Sequence, residues 1–214
     1  MTWLEVLVEG ASDLPTVKEV LERKFHLVEG RHFRIHPHKG KGKLPKNPLS
    51  RPDIKHQGLL DQLPAKLRGF GKSLPKDAIV LVLVDLDKQS ASGLLSELDA
   101  MLATLPVKPK VMFRLAIEET ESWFIADLKA LQTAFPGQIK KHVLKSIKPD
   151  SIVGAAQKLA EALGLNPQMI AGPTKFHWAK KIAPHLDLDS PASPSFRTLI
   201  EGIGEIEGWL ELNP

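Results

Sequence analysis

Apolar residues follow two different periods along this chain. Four segments are continuous or alternating apolar runs, which is the pattern of buried strands: residues 3–10, 32–38, 77–85 and 110–117. After each of them, apolar residues recur every three or four positions, as they do on one face of a helix. Strands that alternate with helices predict an α/β fold with a mainly parallel central sheet flanked by helices.

Three segments allow more detailed predictions. Residues 77–85 are apolar up to the final aspartate, which is typical of a strand covered by helices on both faces of its sheet. Pro64 predicts that the helix within residues 58–70 is interrupted or begins there, because proline lacks the N–H of a helix interior. Residues 119–135 are predicted to form one continuous helix.

The pattern changes after about residue 137. No further strand is predicted, and helical spacing indicates three more helices: residues 151–165, 172–186 and 193–210. Ser193 or Ser195 is expected to cap the last helix. The chain therefore divides into a predicted α/β core, residues 1–136, and an all-helical extension, residues 137–214, that packs on the core.

The composition narrows the class of protein. Hydrophobic residues make up 43% of the chain, and no apolar run approaches the roughly 20 residues that span a bilayer. The first ten residues lack the basic start of a signal peptide. The chain has no cysteine, which excludes disulfides, a thiol nucleophile and thiolate metal ligands. We expect a cytoplasmic protein with no membrane partner.

Charge is distributed unevenly along the chain. The net charge is +4, but residues 31–76 contain twelve Lys or Arg against two Asp. Such asymmetry predicts a basic surface for a polyanion, with acidic chemistry elsewhere, although lysines in a solvated loop would give the same count.

Acidic residues follow three of the predicted strands. Asp85 and Asp87 end the third strand, Glu9 ends the first, and Glu118 and Glu119 end the fourth. Glu121 joins the last two at the start of the next predicted helix. In parallel sheets, ligands bind at the carboxyl ends of the strands, and carboxylate oxygens are the ligands that Mg²⁺ prefers. Glu9 joins the aspartates only if the first and third strands are neighbours. The structural alternatives are a turn after the third strand and favourable placement of acids at a helix start.

Two basic segments are candidates for phosphate binding. Residues 36–47 place His38, Lys39, Lys41 and Lys43 around glycines, whose backbone N–H groups can approach a phosphate closely. Lys175 belongs to a second basic patch within the predicted helix 172–186. In each case a solvated surface is the alternative. Without a third His or a Cys at a suitable spacing, zinc is disfavoured.

Two of these motifs resemble those of the Toprim domain. The stretch "VLVEGASDLPTVKEVL" is similar to its first motif, a strand that ends in Glu-Gly before a helix, and "VLVLVDLDKQ" to its second, a strand that ends in Asp-x-Asp. The resemblance implies a Rossmann-like fold in which Glu9, Asp85 and Asp87 bind Mg²⁺, with Glu9 also a candidate acid or base. Asp13 matches an acid found in many such "EGxxD" motifs.

A longer resemblance covers nearly the whole chain. Together with "VEG" and "DLD", the loop "HKGKGKL", the segment "ETESWFIAD" and a late Ser-x-Ser-Phe element are similar to a small bacterial Toprim-like family of unknown function, related to OLD (overcoming-lysogenization-defect) nucleases. In OLD-type nucleases extra acids support a second metal, which implies a role for Glu119 and Glu121 and a lesser one for Glu118.

Among Toprim chemistries the residues favour hydrolysis. The chain has no tyrosine for topoisomerase strand transfer and no cysteine for the zinc ribbon of a primase. We therefore expect a Mg²⁺- or Mn²⁺-dependent nuclease that acts on DNA or RNA, as one component of a bacterial defence system. The alternative is a non-catalytic Toprim-like scaffold that binds nucleic acid or a partner ATPase.

Overall fold

The computed structural model describes residues 3–211 of the chain. Its central sheet has four strands: β1 (Leu4–Val8), β2 (Phe33–Pro37), β3 (Ile79–Asp85) and β4 (Lys110–Ala116). The spatial order is β2-β1-β3-β4, and each neighbouring pair is parallel. The predicted α/β class with a parallel sheet flanked by helices is therefore confirmed, and β1 and β3 are neighbours as the metal hypothesis requires.

Helices cover both faces of this sheet. The helices up to residue 134 are α1 (Asp13–Glu19), α2 (Leu59–Ser73), α3 (Ala91–Thr104), α4 (Glu121–Ala126) and α5 (Leu128–Ala134). A π-helical turn at Val20–Lys24 extends α1. The later ones are α6 (Lys141–Leu144), α7 (Ala155–Ala162), α8 (Gly172–Ile182) and α9 (Pro194–Glu211), with 3₁₀ turns at Pro167–Met169 and Ala183–His185. None of the helices described between residues 3 and 211 is long and apolar enough to cross a membrane.

Alternate residues of β3 belong to two different hydrophobic cores. Leu81 and Leu83 pack in the core formed with α1 and the helices from α4 onward, whereas Val82 and Val84 pack in the core formed with α2 and α3. This is why β3 is apolar on both faces. Buried residues of α7, α8 and α9 share the first core with the sheet. The domain boundary near residue 137 remains a prediction.

Two helix predictions were wrong. The helix α2 passes through Pro64 without a break, because Leu59, Leu63 and Leu67 bury one of its faces against the sheet and this packing outweighs the missing N–H. The predicted helix 119–135 is divided into α4 and α5 at Asp127, whose carboxylate accepts a hydrogen bond from the Ala130 N–H and begins a new helix.

The start of α9 agrees with prediction. The Ser193 hydroxyl accepts the Phe196 N–H at 3.1 Å, so Ser193 caps the helix. The Ser195 hydroxyl accepts the indole N–H of Trp123 at 2.8 Å, and the Trp123 ring stacks on Phe196 with 4.7 Å between ring centroids. This late serine element therefore anchors α9 to α4 in the core.

Candidate functional site

Five carboxylates meet at the carboxyl edge of the sheet. We call them the acidic cluster: Glu9, Asp13, Asp85, Glu119 and Glu121. Glu9 and Asp85 lie at the ends of the neighbouring strands β1 and β3, and Glu119 lies in the segment after β4. Asp13 and Glu121 are the first residues of α1 and α4. The parallel topology brings together acids that are up to 112 positions apart in the sequence.

Glu9 links the ends of β1 and β3. Its Oε1 accepts a hydrogen bond of 2.8 Å from the backbone N–H of Asp85. Burial, followed by the neighbouring charges of Asp13 and Asp87, raises the pKa of Glu9 to about 8, although the Asp85 N–H and Lys41 oppose the shift. Glu9 therefore titrates close to neutral pH, which suits an acid or base in catalysis.

Asp13 is buried and held at both oxygens. Its Oδ2 accepts the Gly10 N–H at 2.9 Å, and its Oδ1 accepts the hydroxyl of Thr120 at 3.0 Å. Burial raises the pKa of Asp13 despite these two bonds. Thr120 carried no signal in the sequence, because its partner lies 107 residues away.

Asp85 is the least compensated member of the acidic cluster. Among the residues that the structure describes, none donates a hydrogen bond to its carboxylate. Its side chain continues the alternation of Leu81 and Leu83 and so lies on the face of the sheet covered by α1 and α8. Burial and the charges of Asp13, Glu9 and Glu121 raise the pKa of Asp85 well above its ordinary value.

Asp87 lies at the margin of the cluster. The strand ends at Asp85, Leu86 enters the core beneath α3, and Asp87 adopts a left-handed backbone with φ of 52°. The period-two alternation expected to align Asp87 with Asp85 therefore does not extend to Asp87. Its exposed carboxylate instead forms an ion pair with Lys41, with 2.9 Å between Nζ and Oδ2.

Lys175 is the cation inside the acidic cluster. It projects from α8, and its Nζ lies 3.0 Å from Glu119 and 3.3 Å from Glu121. Burial lowers the pKa of Lys175, but Glu121 and Glu119 outweigh it and raise the pKa above its ordinary value. Burial raises the pKa of Glu121 to about 7 in spite of this ion pair. The structure thus shows the predicted phosphate ligand Lys175 as a counter-ion to two acids.

Lys41 likewise has partners within the protein. Its Nζ donates to the carbonyl oxygens of Asp85 at 2.5 Å and Leu86 at 3.3 Å, in addition to its ion pair with Asp87. Lys41 therefore holds the end of β3. Of the other predicted phosphate ligands, His38 contacts the carbonyl oxygen of Val8 through Nδ1 at 2.8 Å, and burial lowers its pKa.

Lys39 and Lys43 are the exposed members of the predicted phosphate-binding set. They belong to the basic loop, which we define as residues 38–58. This loop is anchored to the sheet by a 2.8 Å bond from the Gly40 N–H to the carbonyl of Glu9. Gly42 has a φ of +67°, and a Cβ there would lie 2.2 Å from a carboxylate oxygen of Asp61, so only glycine fits.

Glu118 and Glu119 also fix the start of α7. Both carboxylate oxygens of Glu118 accept backbone N–H groups, from Gly154 at 2.7 Å and Ala155 at 3.0 Å. The second oxygen of Glu119 accepts the Ala156 N–H at 3.1 Å. Glu118 is thus held as a helix cap, which the crowding of acids in the sequence did not reveal.

The acidic cluster offers the oxygen ligands that a hard divalent cation prefers, but these oxygens are not already arranged as a complete set of ligands. It supplies only carboxylate oxygens. Burial raises the pKa of several of these carboxyl groups, and Lys175 and Lys41 offset only part of the shift. Within the described part of the chain, no three His, Asp or Glu side chains are arranged closely enough to hold a metal ion. A cation would compensate the charge that these acids otherwise lose by protonation.

Comparison with known proteins places the chain in a family. No curated protein matches it. A solved structure, the C-terminal region of the OLD protein of Xanthomonas campestris pv. campestris, is similar at 12% identity and a TM-score of 0.46, covering 100% of this chain and 98% of that one. A likeness this distant does not extend to chemistry. The model described as "Domain of unknown function (DUF4276)" matches residues 8–204, and the chain therefore belongs to the DUF4276 family.

Proposed function

We propose that this protein hydrolyses phosphodiester bonds of a nucleic acid, DNA or RNA, with Mg²⁺ or Mn²⁺ bound at the acidic cluster. One observation carries the proposal: Asp85 is surrounded by Asp13, Glu9 and Glu121, and its carboxylate has no hydrogen-bond donor among the described residues. Buried like charges require protonation or a cation. The Asp85 side chain is half-buried, so a cation could reach its carboxylate from solvent.

Glu9 and Asp85 are the residues that we propose as cation ligands. They lie on adjacent strands, tied by the bond from the Asp85 N–H to Glu9. Asp13 is held by Gly10 and Thr120 and shapes the site through its charge. When bound, a divalent cation supplies charge compensation for the scissile phosphate and makes water a stronger nucleophile. The motifs that resemble Toprim support the same assignment.

The remaining predicted residues would bind and position the substrate. Glu119 and Glu121 hold Lys175 beside Asp85, which places one positive charge at the edge of the site. Lys41 fixes the end of β3, and the exposed Lys39 and Lys43 would contact backbone phosphates. Asp87, paired with Lys41, is proposed as an outer ligand rather than a primary one.

Degradation of plasmid DNA and of structured RNA tests this proposal. Each substrate is incubated with the purified protein in Mg²⁺, in Mn²⁺ and in EDTA. Cleavage is expected with a divalent cation and not with EDTA, and Glu9→Ala and Asp85→Ala should abolish it without loss of the circular dichroism spectrum. Equal cleavage by the wild type and both variants would identify a contaminating nuclease and refute the proposal.

A non-catalytic scaffold that binds nucleic acid or a partner ATPase is the second candidate. The observation that favours it is the pairing of acids with lysines: Lys175 with Glu119 and Glu121, and Lys41 with Asp87. In that case the acids would maintain the fold, and Asp85→Ala would leave nucleic-acid binding unchanged in a protein that never cleaves. A role in bacterial defence against phage would be compatible with either candidate.

A further inference from the structure

A cleft of about 660 Å³ lies between the basic loop and the segment that leads into α3. Lys43 and Leu44 line it on the loop side, and Lys88 and Leu94 line it on the other side. Leu60, at the start of α2, contributes to its floor. The cleft therefore has an apolar floor and two lysines at its rim.

The cleft adjoins the candidate site. Lys41, Asp87 and Glu118 line it, and Lys41 is bonded to the carbonyl oxygen of Asp85. The Asp87 N–H donates to the carbonyl of Glu118 at 3.1 Å, which joins the ends of β3 and β4. A ligand in the cleft would thus lie next to Lys41 and Asp87, at the margin of the acidic cluster.

A second cleft, of about 570 Å³, continues the first along the basic loop. The two clefts share Gly42, Lys43 and Leu44, and the second extends past Arg51 and His56. The shared wall is held in place, because the carboxylate of Asp61 accepts the Lys43 N–H at 3.1 Å. The two clefts form one path, along which Lys43, Lys88 and Arg51 line the walls together with acidic side chains.

We infer that the two clefts bind an unpaired nucleic-acid strand, with a base in the first cleft and its phosphates on Lys43 and Lys88. This inference rests on the proposed function and adds the class of substrate: single-stranded or frayed DNA or RNA. The ammonium groups of Lys43 and Lys88 have no partner among the described residues and are exposed, so they are available to phosphates.

The size and lining of the first cleft favour an unpaired base. Its volume lies in the range of about 300–1,000 Å³ that holds one small ligand. A base in a duplex is stacked and paired, and it would have to leave the helix at a cost of a few kcal/mol to enter. Leu44, Leu60 and Leu94 offer an apolar contact to any base, which predicts little sequence preference.

Fluorescence anisotropy of the full chain tests this inference. The probes are labelled single strands of DNA and RNA of about 12 nucleotides and a hairpin duplex of equal length, in EDTA, which prevents metal-dependent cleavage. The wild type should bind the single strand at least about 10-fold more tightly than the duplex. Lys43→Glu and Lys88→Glu should each weaken single-strand binding about 10-fold and lower its salt dependence by about 0.7 per lost phosphate contact.

Two further variants complete the design. Leu44→Trp places a large ring at the wall shared by both clefts and should remove the preference for single strands without a change in melting temperature. Lys145→Glu has the same charge change at an exposed lysine that lines neither cleft, and it should bind like the wild type. Equal affinity for duplex and single strand, or unchanged binding by the three cleft variants, would overturn the inference. Absence of cleavage with this binding pattern intact would refute the proposed function alone.

Discussion

Two groups of acids in this chain use the same side-chain chemistry in opposite ways. The first, which we call the capping acids, accept hydrogen bonds at the start of helices: Asp61, Glu118, Asp127 and Asp150. Each of them accepts two donors, at least one of which is a backbone N–H. The second group is the acidic cluster. Three of its members also accept a backbone N–H, but the carboxylate of Asp85 accepts no hydrogen bond from any described residue.

The capping acids stabilise the fold, whereas the ionised carboxylate of Asp85 lowers its stability. A capping carboxylate accepts hydrogen bonds from helix N–H groups that would otherwise lack a partner, and these bonds stabilise the start of the helix. Burial, followed by repulsion from Asp13, Glu9 and Glu121, raises the pKa of Asp85 well above its ordinary value. Unfavourable local electrostatics of this kind is common at functional sites.

The largest effect is expected from Asp85→Asn. The amide keeps the shape of the carboxylate but removes its charge, so divalent-dependent cleavage should fall by at least about 100-fold. The melting temperature without a divalent cation should stay the same or rise, because repulsion from Glu9 and Asp13 is relieved. Initial cleavage rates and thermal melts of the same preparations measure both. A large loss of stability would place Asp85 with the capping acids.

Lys175→Met is expected to affect stability and cation binding in opposite directions. It removes the ammonium group that contacts Glu119 and Glu121, so stability without a divalent cation should fall by about 2–3 kcal/mol. The site becomes more negative, and its affinity for Mn²⁺ should increase about 10-fold. Denaturant unfolding and Mn²⁺ titration test the two effects. Unchanged Mn²⁺ affinity would mean that cations do not bind near Lys175.

Asp150→Ala provides the contrasting case among the capping acids. Asp150 accepts the Ser195 N–H at 2.6 Å and the Ser193 hydroxyl at 2.7 Å, which fixes the start of α9. Its loss should cost about 1–2 kcal/mol of unfolding free energy, with cleavage per folded molecule unchanged. Denaturant unfolding and the nuclease assay at low temperature measure these. Loss of cleavage in a folded variant would break the separation of the two groups.

A further effect is expected in the pH dependence of stability. The pKa of Glu9 is raised from 4.5 to about 8 and that of Glu121 from 4.5 to about 7. Between pH 4.5 and these values, the folded chain therefore binds more protons than the unfolded chain. In the absence of divalent cations, stability should therefore fall as pH rises from about 4.5 to 8. Melting temperatures in EDTA across this range test the sign. The double variant Glu9→Gln, Glu121→Gln should show a flatter profile.

The sequence predicted those parts of the molecule that depend on local pattern. The strand β3 was evident because both of its faces are buried. Acidic residues follow its neighbours β1 and β4, as they follow β3 itself. The strand ends therefore indicated where Glu9, Asp85, Glu119 and Glu121 would meet. The break at Asp127 was missed because the second bond of its carboxylate comes from the Asp187 N–H, 60 residues away.

The sequence did not reveal which charged side chains would pair with each other. Lys39, Lys41, Lys43 and Lys175 are equivalent lysines in the sequence, but the fold exposes Lys39 and Lys43 and places Lys41 and Lys175 against acids more than 40 residues away. Such pairings depend on how helices pack across the sheet. Asp87 was expected beside Asp85, and the expectation fails because the strand ends at Asp85, two residues before Asp87, so the alternation does not continue.

Calorimetric titration of the wild type and Asp85→Asn with Mn²⁺, in two buffers of different ionisation enthalpy at neutral pH, tests the central claim most directly. The account predicts that the wild type binds Mn²⁺ and releases protons as it does so, because cation binding ionises acids that burial keeps protonated, such as Glu9 with its pKa of about 8. Asp85→Asn should show neither. Absence of binding by the wild type, or equal binding and proton release by Asp85→Asn, would contradict a cation site at the acidic cluster.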